Sequence, residues 1–171
     1  MELQVAHDVL NSVVSRRGIM WDKIESFEKV LKENIPCVTH VPGEKRSKEM
    51  HEMFPIKEHL DNGLYTREVF MPKGSLVISL IHTQNHPSFF LKGKMSIITD
   101  DGEVKTIQAP LHVNTKIGTQ RVAYMHEDCV WTCVYKTSAK TFKEAEEDVY
   151  TNNYRNLPIE LINKNKLLWQ Q

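Results

Sequence analysis

Two histidines four residues apart, His82 and His86, stand in the run Ile81-His82-Thr83-Gln84-Asn85-His86-Pro87. On one continuous strand their rings would share a face yet lie about 13 Å apart, at ~3.3 Å of rise per residue. That is too far for a shared metal, because Zn–N bonds are about 2 Å long. Asn85 and Pro87 favour a bend there, and a bend brings the rings within reach of each other. Imidazole suits Zn, Fe, Ni or Cu, with His126 or His112 as the candidate third ligand. The plainer reading has both histidines lining the mouth of the fold and hydrogen-bonding to neighbours, with His112 structural.

Arg121 is the second chemical signal. Its guanidinium is always protonated and cannot ligate a metal. An unpaired buried guanidinium is costly, so Glu68, Glu127 or Asp128 is expected to pair with it. Set instead beside His82 and His86, it would make a small anion pocket for a phosphate, a carboxylate or an acidic sugar. The internal ion pair is the simpler of the two. Trp131 and Tyr135 read as core. The sequence contains no nucleophile–base pair, no Gly-rich phosphate loop and no paired carboxylates at catalytic spacing, so no catalytic residue is assigned.

The elements that must position these groups follow from hydrophobic period. Residues 3–14 set Leu3, Val5, Val9, Leu10, Val13 and Val14 in a helical stripe that Gly18 ends. Trp21, Ile24, Phe27, Val30 and Leu31 recur at helical spacing with charges between them, and Pro36 closes this amphipathic helix. Its apolar face needs a partner, either the downstream domain or another subunit. Residues 42–52 are a charged, turn-prone connector with no binding role. Strand-like runs then follow at 64–71, 75–81, 89–91, 94–99, 103–108, 111–115, 121–125 and 129–135, with an Asp-Gly hairpin turn at Asp100-Asp101-Gly102. Short strands at this spacing predict an all-β sandwich or barrel. Thr141-Phe142-Lys143-Glu144 has the form of a capping box and opens a last helix. The tail after Asn152 carries Leu161, Ile162, Leu167, Leu168 and Trp169, and is expected to reach a neighbouring chain.

Composition narrows the function classes. Lys+Arg and Asp+Glu both count 22 in 171 residues, so the formal net charge is zero. A protein that binds nucleic acid through a basic face is therefore not expected, and self-association meets no large field. Cys37, Cys129 and Cys133 form no disulfide framework and read as packing thiols in a reducing compartment. No run approaches the ~20 apolar residues of a membrane span, and the N-terminus does not read as a signal peptide.

The glycine after Phe89-Phe90-Leu91-Lys92, the following turn proline and a glycine ahead of Arg121 resemble the cupin superfamily, over roughly residues 54–137. Cupins are small β-barrels in which two motifs on facing strands hold a metal. By that resemblance Gly93 takes the motif glycine, His86 the glutamate position and His82 the second histidine. Leu80 stands at the first histidine. Gly118 matches in the second motif, with Arg121 where its histidine belongs. The runs Gly63-Leu64-Tyr65-Thr66-Arg67-Glu68, Met71-Pro72-Lys73-Gly74, Ile81-His82-Thr83, Gly118-Thr119-Gln120-Arg121-Val122 and His126-Glu127-Asp128-Cys129-Val130-Trp131-Thr132 are similar to a group of small cupin-like proteins of tailed bacteriophages.

The expected protein is mainly β: a cupin-like antiparallel β-barrel or jelly roll over 52–137, N-terminal helices and linker over 1–51, and a C-terminal helix with an extended tail over 138–171. The resemblance implies a non-catalytic bacteriophage protein, a virion structural or assembly component in the virion or host cytoplasm. It would bind itself, as a homo-oligomer, and other virion proteins, without contacting membrane or nucleic acid. Trp21, Phe27, Leu167, Leu168 and Trp169 are the assembly candidates; His82, His86, Arg121 and His126 are the ligand-pocket candidates. No cofactor is expected. The alternative is a small metal-dependent cupin enzyme, or a sugar- or anion-binding cupin, holding a divalent transition metal through His82 and His86.

Overall fold

Asn62-Gly63 forms a two-residue turn in which both residues take the left-handed conformation, with φ of 47° and 79°. A tight hairpin between right-twisted strands requires that geometry. It pairs β1 (Ile56–Asp61) with β2 (Leu64–Met71). The sequence reading missed β1, whose apolar residues alternate with charges, although Asn-Gly is its signature. The computed structural model describes residues 3–99 and 101–168; Asp100 of the expected turn lies outside them.

The remaining strands are β3 (Leu76–Ile78), β4 (Ile81–His82), β5 (His86–Lys92), β6 (Lys94–Ile98), β7 (Val104–Gln108), β8 (Leu111–Thr115), β9 (Val122–Met125), β10 (Cys129–Lys136) and a two-residue β11 (Tyr150–Thr151). They form a five-stranded sheet, β1-β2-β10-β5-β8, and a four-stranded sheet, β3-β9-β6-β7, while β4 pairs with β11. All pairings are antiparallel. The expected single strand over 75–81 is two pieces. Ser79 interrupts it, donating its N–H to the Arg121 carbonyl while its hydroxyl accepts from the Arg121 N–H.

Consecutive strands β5 and β6 belong to different sheets, and the chain crosses between them at Gly93. A Cβ there would stand 2.5 Å from the Asp128 carbonyl oxygen, and φ is 96°. Between the sheets, Met71, Phe90 and Trp131 on one side meet Met95, Ile97, Ala123 and Met125 on the other. This is an antiparallel β fold of two facing sheets, within the sandwich-or-barrel class that the strand spacing predicts.

The outer face of the four-stranded sheet is apolar as well, and helices cover it. α1 (Leu3–Val14) and α2 (Met20–Asn34) set Leu10, Val13, Ile24 and Phe27 against Ile98 and Val122. Trp21 is buried, donates its indole N–H to the Gly118 carbonyl at 2.8 Å, and stacks on Tyr154. Trp21 and Phe27 therefore correct the assembly expectation: burial of ~1.5–3 kcal/mol per large apolar side chain is satisfied within the chain's own domain.

The C-terminal segment behaves the same way. α4 (Phe142–Val149) opens with the expected capping box, Thr141 and Glu144 each bonding the other's backbone. After a 3-10 turn at Tyr154–Asn156, α5 (Ile159–Leu168) begins with Leu161 and Ile162 packed near Ile19, Trp21 and Ile81. This part of the tail docks on its own domain, contrary to expectation. The backbone of Leu167 and Leu168 ends α5, their side chains lie outside the description, and Trp169 lies outside the described residues.

The charged connector is also anchored. It holds α3 (Lys48–Met53), capped by Ser47, and Arg46 with only 12% of its side chain exposed.

Candidate functional site

Alternation along β2, β10 and β5 points Tyr65, Arg67, Cys133, Tyr135, His86 and Ser88 into the space between the sheets, where all are buried. β4 adds His82. The bend expected at Asn85 is present, held by the Ile117 N–H donating to the Asn85 side-chain oxygen at 2.8 Å. It closes the gap between the two histidines, whose ring centroids are 4.6 Å apart. They are 5% and 2% exposed, which makes them core side chains rather than a rim.

Their tautomers follow from their partners. The Tyr135 hydroxyl lies 2.8 Å from that of Tyr150 and 2.9 Å from His82 Nδ1, so with its proton directed to Tyr150 it accepts from the His82 N–H. His86 Nδ1 faces the Gln84 carbonyl at 3.1 Å and must likewise donate. Each ring is left with an Nε2 lone pair, and that of His86 is buried without a partner. Both rings stay neutral. Burial lowers the His82 pKa well below its usual value, with the neighbouring His86 and the charges of Arg121 and Arg67 adding to it. Burial and then Arg121 lower that of His86 against the upward pull of the Gln84 carbonyl.

Arg121 stands over the Trp131 ring at 5.4 Å and its Nη2 reaches the Thr115 hydroxyl at 3.4 Å, a hydroxyl that also bonds Ser88 at 2.8 Å. Of its expected carboxylate partners, Glu68 engages Lys57 at 3.2 Å and Asp128 accepts from the Lys73 N–H at 2.9 Å. Arg121 is near enough to both imidazoles for its charge to lower their pKa values, so these three of the expected pocket residues come together.

His126 corrects the ligand-pocket set. It accompanies Ser96, 2.7 Å from its Nε2, on the face of the four-stranded sheet that α1 covers, where His7 from α1 reaches the same hydroxyl at 3.1 Å. His112 is on the outer face of the other sheet, stacked on Phe89. Neither joins His82 and His86. Among the described residues no three His, Cys, Asp or Glu side chains come together as a metal-ligating group. A catalytic zinc site needs about three protein ligands, and this donor set supplies two imidazoles facing a guanidinium's field. Among the described residues the donor set is therefore one ligand short of such a site.

What sequence reasoning missed is the ionic cluster beside the histidines. Glu146 from α4 accepts from Arg67 at 2.6 Å, Arg46 at 2.8 Å, and both His40 and the Gly43 N–H at 2.9 Å. Arg46 also grips Glu58 with two bonds of 2.7 Å, and Tyr65 donates to Glu58. Burial would raise the Glu146 pKa; His40, Arg67, Arg46 and Gly43 outweigh it and hold it at about 2. Arg67 lies over the Tyr150 ring at 5.0 Å, which joins this cluster to the histidine core. The inward phase of Arg67 was readable from β2; its partner, 79 residues away, was not.

No family model matches the chain, and no curated protein matches it. Solved structures do. An ectoine synthase from P. lautus is 14% identical, covers 71% of this chain and 86% of its own, and has a TM-score of 0.47. An acetylacetone dioxygenase from Acinetobacter johnsonii is 17% identical over 60% and 80%, with a TM-score of 0.41. The Cupin_2 domain of an XRE family transcriptional regulator from Enterobacter cloacae is 12% identical over 51% and 99%, with a TM-score of 0.42. All three scores lie below 0.5, and the fold stands on the sheet order above. Among the described residues no helix is long and apolar enough to cross a membrane. These solved structures include a cupin-domain protein; the core of this chain is built of aromatic rings and ion pairs.

Proposed function

We propose that this protein is a non-catalytic module, a structural or assembly component of a tailed bacteriophage that binds copies of itself or other virion proteins. One observation carries the reading: the centre of the barrel is filled. His82 and His86 are buried and neutral, and His82 is hydrogen-bonded through Tyr135 to Tyr150. Filled this way, the barrel works as a rigid scaffold rather than a reaction chamber. The phage setting rests on the resemblance of several short motifs to those of phage cupin-like proteins. Because Trp21, Phe27 and the start of α5 are used internally, binding would fall to the sheet surface and the end of the tail.

A second reading has its own observation. The His86 Nε2, buried without a partner in a ring 4.6 Å from that of His82, is a donor that a divalent transition metal would take. Elemental analysis of protein purified without chelator, with native mass on the same sample, separates the two. The scaffold reading expects no stoichiometric transition metal, a defined oligomer, and the protein within purified particles. About one tightly held metal per chain, lost in His82→Gln, would overturn it.

A further inference from the structure

Polar groups as well as Leu10 and Val13 fasten α1 to the four-stranded sheet. His7 of α1 sets its Nε2 3.1 Å from the Ser96 hydroxyl of β6 and 3.0 Å from the Thr106 hydroxyl of β7. The two hydroxyls lie 2.8 Å apart, and His126, just past β9, brings its Nε2 within 2.7 Å of the Ser96 oxygen. Two imidazoles from distant parts of the chain thus converge on one fully buried hydroxyl. The set closes with both rings neutral when His7 donates to the hydroxyls, Thr106 donates to Ser96, and Ser96 donates to His126 Nε2. Acid puts a hydrogen on that Nε2, facing the Ser96 hydrogen, and sets two positive rings against the same oxygen.

We propose that His7 and His126 form a pH-sensitive clasp, in which protonation of the pair loosens α1 from the sheet and uncovers Ile98 and Val122 beneath it. The clasp is independent of the assembly reading above. Its driving force is linkage: a ring whose charged form is disfavoured while α1 is docked regains its ordinary proton affinity once α1 leaves, so acid favours the undocked state. The other charged groups around the pair are few. Lys94 opens β6, Glu127 follows His126, and β9 carries none. Lys105 of β7 lies opposite Ile97, on the other face of the sheet from Thr106. On α1, Asp8 is turned to Gln4 at 2.9 Å, and from α2, Lys23 is turned to the Val14 carbonyl at 2.7 Å. Burial, then Lys94 and His7, lower the His126 pKa against the smaller opposite effect of Glu127. Docking is therefore complete above about pH 6.5, the ordinary histidine value, and weakens as pH falls below it.

The test is hydrogen exchange of the full chain, read by mass spectrometry between about pH 7.5 and about pH 5 and corrected for the intrinsic pH dependence of exchange. Protection of α1 should fall by about 10-fold relative to that of β10, the change that one pKa unit produces in the docking equilibrium. The comparison with β10 separates local release of α1 from unfolding of the whole domain. His7→Gln combined with His126→Gln keeps a hydrogen-bonding amide at each position without a titrating ring, and should abolish the fall. Lys94→Gln leaves both rings in place and should reduce it. A fall equal in α1 and β10, or one that the double variant retains, overturns the clasp. Where circular dichroism finds the double variant unfolded, an undiminished fall in Lys94→Gln overturns it.

Discussion

Glu146 should be the most sensitive acidic residue in the molecule. Its side chain is 4% exposed and it accepts from four donors, one of them Arg67, for which it is the one ion-pair partner among the described residues. Its pKa falls from the model-peptide 4.5 to about 2, and at ~1.36 kcal/mol per unit that shift corresponds to about 3 kcal/mol of folding stability at neutral pH. Because the folded pKa is the lower one, this stability is complete above about pH 4.5 and is lost as pH falls toward 2. Glu146→Gln keeps the shape and removes the charge. Arg46 retains Glu58, but Arg67 loses its direct ion-pair partner and keeps only the field of Glu58, a break in a buried pair that costs up to ~3–5 kcal/mol. Urea unfolding followed by tryptophan fluorescence at pH 7 should show a loss of about that size, and the variant should lose less further stability than wild type between pH 4.5 and 2. A loss below about 1 kcal/mol, with an unchanged acid profile, would refute the cluster as a source of stability.

Two further outcomes follow from the same geometry. His82 is held neutral in the folded state, so wild-type stability should decline as pH drops below about 6.5, the unfolded histidine value; His82→Phe should flatten that decline in urea melts taken between pH 7 and 5, and an unaltered slope would mean the ring is solvated. Gly93→Ala should destabilise by more than about 1 kcal/mol, because φ is positive and the added methyl meets the Asp128 carbonyl; a thermal transition equal to wild type would show that the sheet crossing is looser than described.

Local signals were legible wherever the physics is local. The capping box at Thr141 and Glu144, the glycine crossing at Gly93, the period change after residue 63 and the bend at Asn85 each rest on residues within a few positions of one another. From them the two-sheet fold followed. The bend even brought His82 and His86 together, but their surroundings were set at longer range. Tyr135 and Tyr150 supply the hydrogen-bonded neighbourhood of His82, while the side of the sheet on which His126 falls removed it from the set. An apolar stripe such as Trp21-Ile24-Phe27 says only that a face must be buried, and its own domain and a neighbour satisfy that demand equally well in sequence. Likewise Arg67 and Glu146 each demand a counter-charge without naming it. What the sequence by itself determined was the elements and the needs of their faces. Tertiary structure alone decided which face meets which, because burial free energy depends on area removed from water and not on the identity of the partner.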